Sequence, residues 1–192
     1  MDPAHSDTAV LKILIAGGFG VGKTTTVRAI SEIEPISTEE FLTQASTSTD
    51  SLDGVETKST TTVAFDFGRV TFDRAAFNLP MSIELMLFGT PGQERFKELW
   101  YDLARGSVGA VVLADTRRLS SSFDAVNFCE NAQLPFIVAV NEFDGAHRYP
   151  LNDIRQALGS DIPVMAFDAR VPAAVVNVLL RLVDHALDQT PA

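Results

Sequence analysis

Residues 10–24 read VLKILIAGGFGVGKT and join an apolar run to a glycine-rich turn. From Gly17 to Thr24 the turn contains the full pattern G-x-x-x-x-G-K-[ST], which is typical of loops that bind polyphosphates. Such a loop points its backbone N–H groups at the phosphates, and glycines supply the dihedral angles that this requires. Residues 24–33 then predict a helix whose positive N-terminal end faces the same phosphates. This stretch therefore predicts a site for a nucleoside triphosphate.

Two side chains at the end of the turn have specific chemistry. Lys23 is expected to bridge the β- and γ-phosphates as a point charge, and the Thr24 hydroxyl to ligate Mg²⁺. The residues expected to contact the phosphates are Gly18, Phe19, Gly20, Val21, Gly22, Lys23, Thr24 and Thr25. The predicted ligand is therefore a complex of Mg²⁺ with a nucleotide.

Composition favours a globular protein and excludes some partners. Hydrophobic residues make up 46% of the 192 residues, enough for one domain that buries roughly 70% of its unfolded surface. Fifteen basic against 25 acidic residues give a formal charge of −10. We therefore expect no nucleic-acid partner and no direct attraction to anionic membranes.

The cysteine count and the absence of targeting signals indicate a cytoplasmic protein. The single Cys129 cannot form an internal disulfide, and its place in a predicted helix indicates a small core residue rather than a reactive thiol. The sequence contains no signal peptide, no apolar run of about 18 residues and no lipidation motif.

Strands and helices alternate along most of the chain. Residues 10–16 predict a strand covered on both faces, and residues 35–61, rich in Ser, Thr, Asp and Glu, predict a long mobile loop. Residues 62–72 and 81–88 predict an antiparallel pair of strands at one end of the sheet. The other predicted elements are helix 97–105, strand 107–114, helix 121–132, strand 136–141, helix 152–158, strand 163–167 and a final helix with the apolar stripe Val171, Val175, Val178, Leu179, Leu182, Val183 and Ala186. This order predicts an α/β fold with a mostly parallel sheet of six strands, helices on both faces and one antiparallel strand.

Four further motifs are predicted at strand ends on the same side of the sheet, where residues distant in sequence converge on one ligand. Thr62 opens the sequence TVAFDF, and residues 92–96 read GQERF. Asn141 opens the sequence NEFD after the fifth predicted strand, and residues 168–170 read DAR after the sixth.

The last two motifs indicate recognition of guanine. The carboxylate of Asp144 suits the adjacent N1–H and N2–H₂ donors of guanine, whereas adenine has no such pair and would leave the charge unpaired. Asn141 can contact the base and tie its loop to the phosphate-binding loop. The backbone N–H of Ala169 can reach guanine O6. An ordinary polar turn is the alternative interpretation of NEFD on its own.

These motifs together give the chain a resemblance to the small GTPases of the Ras superfamily, from about residue 10 to residue 188. The sequences FGTPGQERF, NEFD and FDAR and the long Thr-rich segment before Thr62 are most similar to the bacterial MglA-like group, in particular the GTPases of actinobacterial conservons. The resemblance implies a P-loop NTPase fold of small-GTPase type over residues 10–188. Residues 1–9 would form a flexible N-terminus and residues 189–192 a C-terminal tail.

The resemblance also implies roles for the two switch segments. Thr62 would contact Mg²⁺ and the γ-phosphate when GTP is bound, with Thr60 and Thr61 as adjacent alternatives. Gln93 would orient the attacking water, and Gly92 would contact the nucleotide. The residues implied for catalysis are therefore Lys23, Thr62 and Gln93, and those for the metal are Thr24 and Thr62. Beyond the second switch, Trp100 and Tyr101 have two interpretations, a partner-binding surface or core packing.

Three positions depart from the small-GTPase pattern. Gly89 stands where the D-x-x-G motif has its Asp, which holds a water on Mg²⁺; Asp115 is the nearest substitute, with a structural turn Asp as the alternative. Phe19 replaces a small residue near the γ-phosphate, so we expect it to crowd Gln93 or an incoming arginine finger and to slow hydrolysis. Glu142 replaces a lysine that packs along the base, and Arg170 can stack on the base from the other loop instead.

The expected function is a guanine-nucleotide switch that binds GTP, GDP and Mg²⁺ and hydrolyses GTP slowly. The alternative is a guanine-nucleotide-binding scaffold with little or no hydrolysis. The conservon resemblance implies bacterial signalling with a Roadblock/LC7-domain regulator and a sensor-kinase-like protein. It also implies that any association with the membrane is indirect, through those partners.

Overall fold

The structure, a computed structural model, describes residues 8–34, 36–42, 61–92, 97–159 and 161–189, with residues 36–42 and 61–64 described by their backbone alone. The sheet is built from β1 (Thr8–Ala16), β2 (Ile36–Leu42), β3 (Thr61–Phe72), β4 (Ser82–Gly89), β5 (Ser107–Ala114), β6 (Phe136–Asn141) and β7 (Val164–Phe167). The helices are α1 (Lys23–Ile30), α2 (Arg74–Phe77), α3 (Glu98–Ala104), α4 (Phe123–Asn131), α5 (Leu151–Leu158) and α6 (Pro172–Asp188). A 3-10 segment, Thr116–Ser122, precedes α4.

The strand order within the described residues is β2-β3-β4-β1-β5-β6-β7. β4, β1, β5, β6 and β7 are mutually parallel, and β3 runs antiparallel to both of its neighbours. The predicted mostly parallel α/β fold with one reversed strand is therefore confirmed, but the described sheet has seven strands rather than the predicted six. Because these strands are parallel, the carboxyl ends of β1, β4, β5 and β6 lie at the same end of the sheet. Ligands bind at this end in sheets of this kind.

β2 corrects the prediction of a loop over residues 35–61. Its backbone pairs with β3 from Ile36 opposite Phe67 to Leu42 opposite Thr61, so β2 rather than β3 forms the edge of the sheet. The segment ISTEEFL has only three apolar residues and no regular alternation. The pairing offered by β3, rather than the pattern of the segment itself, accounts for this strand.

The sheet is covered on both faces, which explains why β1 is almost continuously apolar. Alternate residues of a strand point to opposite faces. Ile13 and Ile15 lie in the core with α1 and α6, whereas Leu14 and Ala16 lie in the core with α3, α4 and α5.

Helix α6 confirms the predicted apolar stripe at all positions but one. The stripe residues from Val175 to Ala186 are buried, but Val171 is 45% exposed. The helix begins at Pro172, so Val171 lies in extended backbone before its first turn.

Cys129 is a buried core residue as predicted, and burial raises the pKa of its thiol to about 12. No helix in the described ranges has both the length and the apolarity that crossing a bilayer demands.

One close contact sets the position of α1 against β3. A Cβ added at Gly68 would lie 2.6 Å from Cγ1 of Val27 and 3.1 Å from Oγ of Ser31. Because Gly68 has no side chain, α1 can approach β3 closely. Thr24 precedes Val27 by one helical turn and lies on the same face of α1. Its side chain is therefore also directed toward β3.

Candidate nucleotide-binding site

The glycine-rich turn connects β1 to α1 with three glycines at positive φ. Gly17, Gly20 and Gly22 have φ values of 142°, 73° and 107°. Gly22 is required for a second reason, because a Cβ there would lie 2.6 Å from Nδ2 of Asn141. The turn therefore has the backbone shape that a phosphate-binding loop requires.

Lys23 lies inside this turn and is 8% exposed. Its Nζ donates to the carbonyl oxygens of Gly17 at 2.8 Å and Gly18 at 2.7 Å. Burial lowers the pKa of Lys23 to about 8, an effect that the nearby charge of Asp66 partly offsets. The ammonium group is therefore poorly solvated and suited to a phosphate, which would stabilise its charged form.

Asp66 belongs to this site, although the sequence did not single it out. The Thr24 hydroxyl donates to Oδ2 of Asp66 at 2.6 Å. Asp66 in β3 pairs with Gly89 in β4, and a Cβ on Gly89 would lie 3.2 Å from Cβ of Asp66. A carboxylate therefore lies beside Gly89, on the neighbouring strand and at the same level of the sheet.

Of the two interpretations of Asp115, the structure fits the structural turn residue, since its side chain accepts from the backbone N–H of Arg117 at 2.9 Å. Asp115 is 1% exposed and accepts from Arg117, with Nε–Oδ1 at 3.0 Å and Nη2–Oδ2 at 2.8 Å. Burial alone raises the pKa of Asp115, but the hydrogen bonds and charge of Arg117 outweigh burial and hold the pKa below its usual value. The Arg117 guanidinium lies 3.8 Å from the ring centroid of Phe143. Asp115 therefore supports the NEFD loop through Arg117.

Asn141 joins the three loops of the site. Its Nδ2 donates to the carbonyl oxygen of Val21 at 3.1 Å, and its Oδ1 accepts from the backbone N–H of Ala169 at 3.1 Å. Asn141 is 5% exposed and Ala169 is 1% exposed. The side chain therefore ties NEFD to the phosphate-binding loop as expected from the sequence, and it also engages the N–H group assigned to guanine O6.

Arg170 lies against two carboxylates. Its Nη1 and Nη2 donate to Oδ2 and Oδ1 of Asp144 at 2.8 and 3.1 Å. Its Nε and Nη2 donate to Oδ1 and Oδ2 of Asp168 at 2.9 and 2.7 Å, and these bonds lower the pKa of Asp168 to about 2. Glu142 pairs with Arg148 at 3.3 Å. Asp144 and Arg170 thus contact each other, and their predicted contacts with a base stay predictions.

Gly92 lies against the phosphate-binding loop, and its contact with the nucleotide stays a prediction. A Cβ on Gly92 would be 2.8 Å from Nζ of Lys23 and 2.9 Å from Cα of Phe19. The side chain of Phe19 is 69% exposed, and its carbonyl oxygen accepts from Nη2 of Arg118 at 3.2 Å. Gln93 lies outside the described residues, so its role stays a prediction.

Of the two predicted metal ligands, Thr24 has a described side chain and Thr62 does not. Thr62 lies in β3 opposite Phe41, with its backbone alone described, so its contact with Mg²⁺ stays a prediction. Thr24 and Asp66 present hard oxygen donors of the kind that Mg²⁺ prefers. Across the described residues no group of three or more His, Cys, Asp or Glu could hold a metal. Thr24 and Asp66 could hold a Mg²⁺ ion only together with other ligands, and nucleotide phosphates and water would supply these.

Fold and site together define a P-loop nucleotide-binding protein. The family described as conserved hypothetical ATP binding protein matches residues 15–189, and the chain belongs to that family. The chain is also 28% identical over 129 residues to mitochondrial translation initiation factor IF-2 of Homo sapiens. That alignment covers 64% of this chain and 17% of the human protein, so the chain spans about a sixth of that relative.

Proposed function

We propose that this protein is a Mg²⁺-dependent guanine-nucleotide switch that hydrolyses GTP slowly. The observation that carries the proposal is the Asn141 side chain, which bonds to Val21 at 3.1 Å and to Ala169 at 3.1 Å. It couples a phosphate-binding loop to a base-binding loop at one end of the sheet. The similarity to an initiation factor, with 28% identity, is consistent with this arrangement but does not define the base.

Base selection in this proposal rests on Asp144. Its two carboxylate oxygens match the paired N1–H and N2–H₂ donors of guanine. Adenine presents an acceptor at N1 and no donor pair, so it would gain nothing from this carboxylate. Since the family description names ATP, selectivity between guanine and adenine is the property that most needs measurement.

Lys23, Thr24 and Asp66 are the chain's own contributions at the phosphates. Lys23 would neutralise charge on the β- and γ-phosphates, and Thr24 with Asp66 would hold Mg²⁺. When bound, Mg²⁺ supplies further stabilisation of charge on the transferred phosphoryl group. Thr62 would sense the γ-phosphate, and Gln93 would orient water for in-line attack.

Partners are part of the proposal and rest on resemblance to the conservon GTPases. A Roadblock/LC7-domain regulator would read the GTP-bound state of the segments around Thr62 and Gln93. A sensor-kinase-like protein of the same signalling system would connect the complex to the membrane, without direct contact between this chain and lipid.

A scaffold that binds guanine nucleotides with little hydrolysis is the second candidate. One observation favours it: Phe19 lies at the point where Gly92 meets the loop, with a Gly92 Cβ position 2.9 Å from its Cα. A large residue at this position would restrict the approach of Gln93 or of a regulator's arginine.

Single-turnover hydrolysis separates the two candidates. GTP is loaded with Mg²⁺ onto wild type, Phe19→Gly and Lys23→Ala, and phosphate release is followed with and without a Roadblock/LC7 partner. The switch predicts slow release by wild type, faster release by Phe19→Gly and none by Lys23→Ala. Tight GTP binding with no release from any variant, with or without the partner, would favour the scaffold.

A further inference from the structure

The planar guanidinium of Arg170 donates to both carboxylate oxygens of Asp144, the residue proposed to recognise the base. The distances are 2.8 Å from Nη1 to Oδ2 and 3.1 Å from Nη2 to Oδ1 of Asp144. A guanidinium presents two parallel N–H donors to a carboxylate. Guanine presents its N1–H and N2–H₂ groups in the same paired manner, so the two ligands need the same acceptor atoms.

We propose that Arg170 is a specificity-determining residue that occupies the Asp144 carboxylate and competes with guanine for it. This inference rests on the proposed function, because it takes Asp144 as the group that recognises the base. Arg170 must leave Asp144 before guanine can bind there. Adenine does not need Asp144, so Arg170 opposes guanine selectively.

Asp168 makes this displacement feasible. Arg170 keeps two bonds to Asp168 that do not involve Asp144, Nε–Oδ1 at 2.9 Å and Nη2–Oδ2 at 2.7 Å. The backbone N–H of Arg170 also donates to Oδ1 of Asp168 at 2.8 Å, which fixes the turn. When guanine takes Asp144, the guanidinium still has a carboxylate partner, and no charge is left alone.

Solvent exposure limits the strength of the competition. The side chains of Arg170 and Asp144 are 56% and 84% exposed. Exposed ion pairs are weak and are screened by salt. Guanine can therefore displace Arg170, and the competition should lower guanine affinity by a small factor and accelerate nucleotide release.

The test is equilibrium binding of N-methylanthraniloyl-labelled GDP and ADP to the full chain with Mg²⁺. Arg170→Ala is expected to tighten GDP binding roughly two- to fivefold, and to leave ADP binding unchanged. Arg170→Lys keeps the charge but loses the paired donors, so it should fall between wild type and Arg170→Ala. Arg148→Ala removes a positive charge from the same region without touching Asp144, and is the matched control with no tightening expected.

Two further measurements separate competition from a structural role. The advantage of Arg170→Ala should shrink as KCl is raised to about 1 M, because salt screens the Arg170–Asp144 pair. In an Asp144→Asn background, Arg170→Ala should no longer tighten GDP binding, since the two residues act through one contact.

The outcomes distinguish this inference from the proposed function. If wild type selects GDP over ADP and Arg170→Ala binds GDP equally or more weakly, the inference is overturned and guanine recognition stands. If neither protein selects GDP and Asp144→Asn has no effect, both are overturned. If wild type binds GDP and ADP equally and Arg170→Ala selects GDP, the competition is supported in its strongest form.

Discussion

Asp66 lies directly opposite Gly89 in the antiparallel register of β3 and β4, and its carboxylate accepts from the Thr24 hydroxyl at 2.6 Å. Small GTPases carry an Asp at the position of Gly89, and here the carboxylate beside that position belongs to Asp66 on the paired strand. A Cβ on Gly89 would lie 3.2 Å from Cβ of Asp66, which is tighter than an ordinary contact, so the glycine eases the close approach of the Asp66 side chain.

Removing this carboxylate should weaken Mg²⁺-dependent nucleotide binding. For Asp66→Ala we expect a ten- to hundredfold loss of nucleotide affinity in Mg²⁺, the effect typical of groups that orient metal ligands. Titration with a fluorescent nucleotide in Mg²⁺ and in EDTA measures it. The deficit should disappear in EDTA; an equal deficit in both conditions would show that Asp66 acts on the fold rather than on the metal.

The matched control returns the carboxylate to β4. Asp66→Gly combined with Gly89→Asp places one acid on the opposite strand and removes the side chain it would meet. We expect this double variant to recover part of the Mg²⁺-dependent affinity that Asp66→Gly alone loses. No recovery in a folded double variant would contradict the pairing.

Nucleotide binding should weaken above about pH 8, the pKa of the buried Lys23. A bound phosphate favours the charged lysine, so binding requires the protonated form and takes up a proton as the pH passes that pKa. The phosphates are already ionised there, since their second pKa is about 6. We expect GDP affinity to fall by up to about tenfold per pH unit above this pKa.

Calorimetry in two buffers of different ionisation enthalpy measures the proton uptake directly. Lys23→Ala should bind more weakly at about pH 8 and should lose less affinity than wild type as the pH rises further. An equal loss of affinity in the two proteins would contradict a functional role for the lowered pKa of Lys23.

The Asp115–Arg117 pair should contribute to stability at neutral pH. Arg117→Ala leaves a carboxylate that is 1% exposed without its principal cation, and we expect a larger loss in the free energy of unfolding than breaking an exposed ion pair causes. Because the pKa of Asp115 is held below its usual value, this contribution is present above the ordinary Asp value of about 4 and is lost as the pH falls further.

Urea denaturation at neutral and acidic pH tests this pair. Arg105→Ala is the matched control, because Arg105 pairs with Asp102 at 3.3 Å with both side chains well exposed. Its effect should stay within about 0.5 kcal/mol. Equal effects of the two substitutions at neutral pH would contradict the importance of the buried carboxylate.

Trp100 should hold the turn after β4 in place. It is 3% exposed, and its indole N–H donates to the Pro91 carbonyl at 3.0 Å. Trp100→Phe removes the donor, and we expect a loss of about 1–3 kcal/mol in the free energy of unfolding. Tyr101→Phe is the control, since Tyr101 is 53% exposed, and it should change stability by less than about 0.5 kcal/mol. Chemical denaturation followed by circular dichroism compares the two; equal losses would contradict a specific role for the indole.

The core elements were predictable because their patterns are local. β5 and β6 begin and end at the predicted residues, Ser107–Ala114 and Phe136–Asn141, since each is a continuous apolar run bounded by polar turns. The G-x-x-x-x-G-K-[ST] pattern predicted a turn with three glycines at positive φ. Of the alternatives for the two aromatics after GQERF, Trp100 packs in the core and Tyr101 lies largely at the surface.

The contribution of Asp66 could not be read from the chain, because it depends on register between strands. Asp66 is the polar residue between Phe65 and Phe67, which looks like ordinary alternation in a half-exposed strand. The useful signal was the missing acid at Gly89, but the nearest acidic residue along the predicted strand ends was Asp115. The sequence likewise could not predict the side-chain pair of Arg170 with Asp144, because it assigned both residues to contacts with a nucleotide.

Recognition of guanine by Asp144 can be tested by replacing one of its two acceptor oxygens with a donor, which Asp144→Asn does. Xanthine keeps the N1–H of guanine and replaces the N2 amine by a carbonyl, so an Asn at this position can accept from one and donate to the other. Competition binding of GDP, xanthosine diphosphate and ADP to wild type and Asp144→Asn is the measurement. We expect wild type to prefer GDP and Asp144→Asn to prefer xanthosine diphosphate. An unchanged order of affinities in the two proteins would contradict guanine recognition by Asp144.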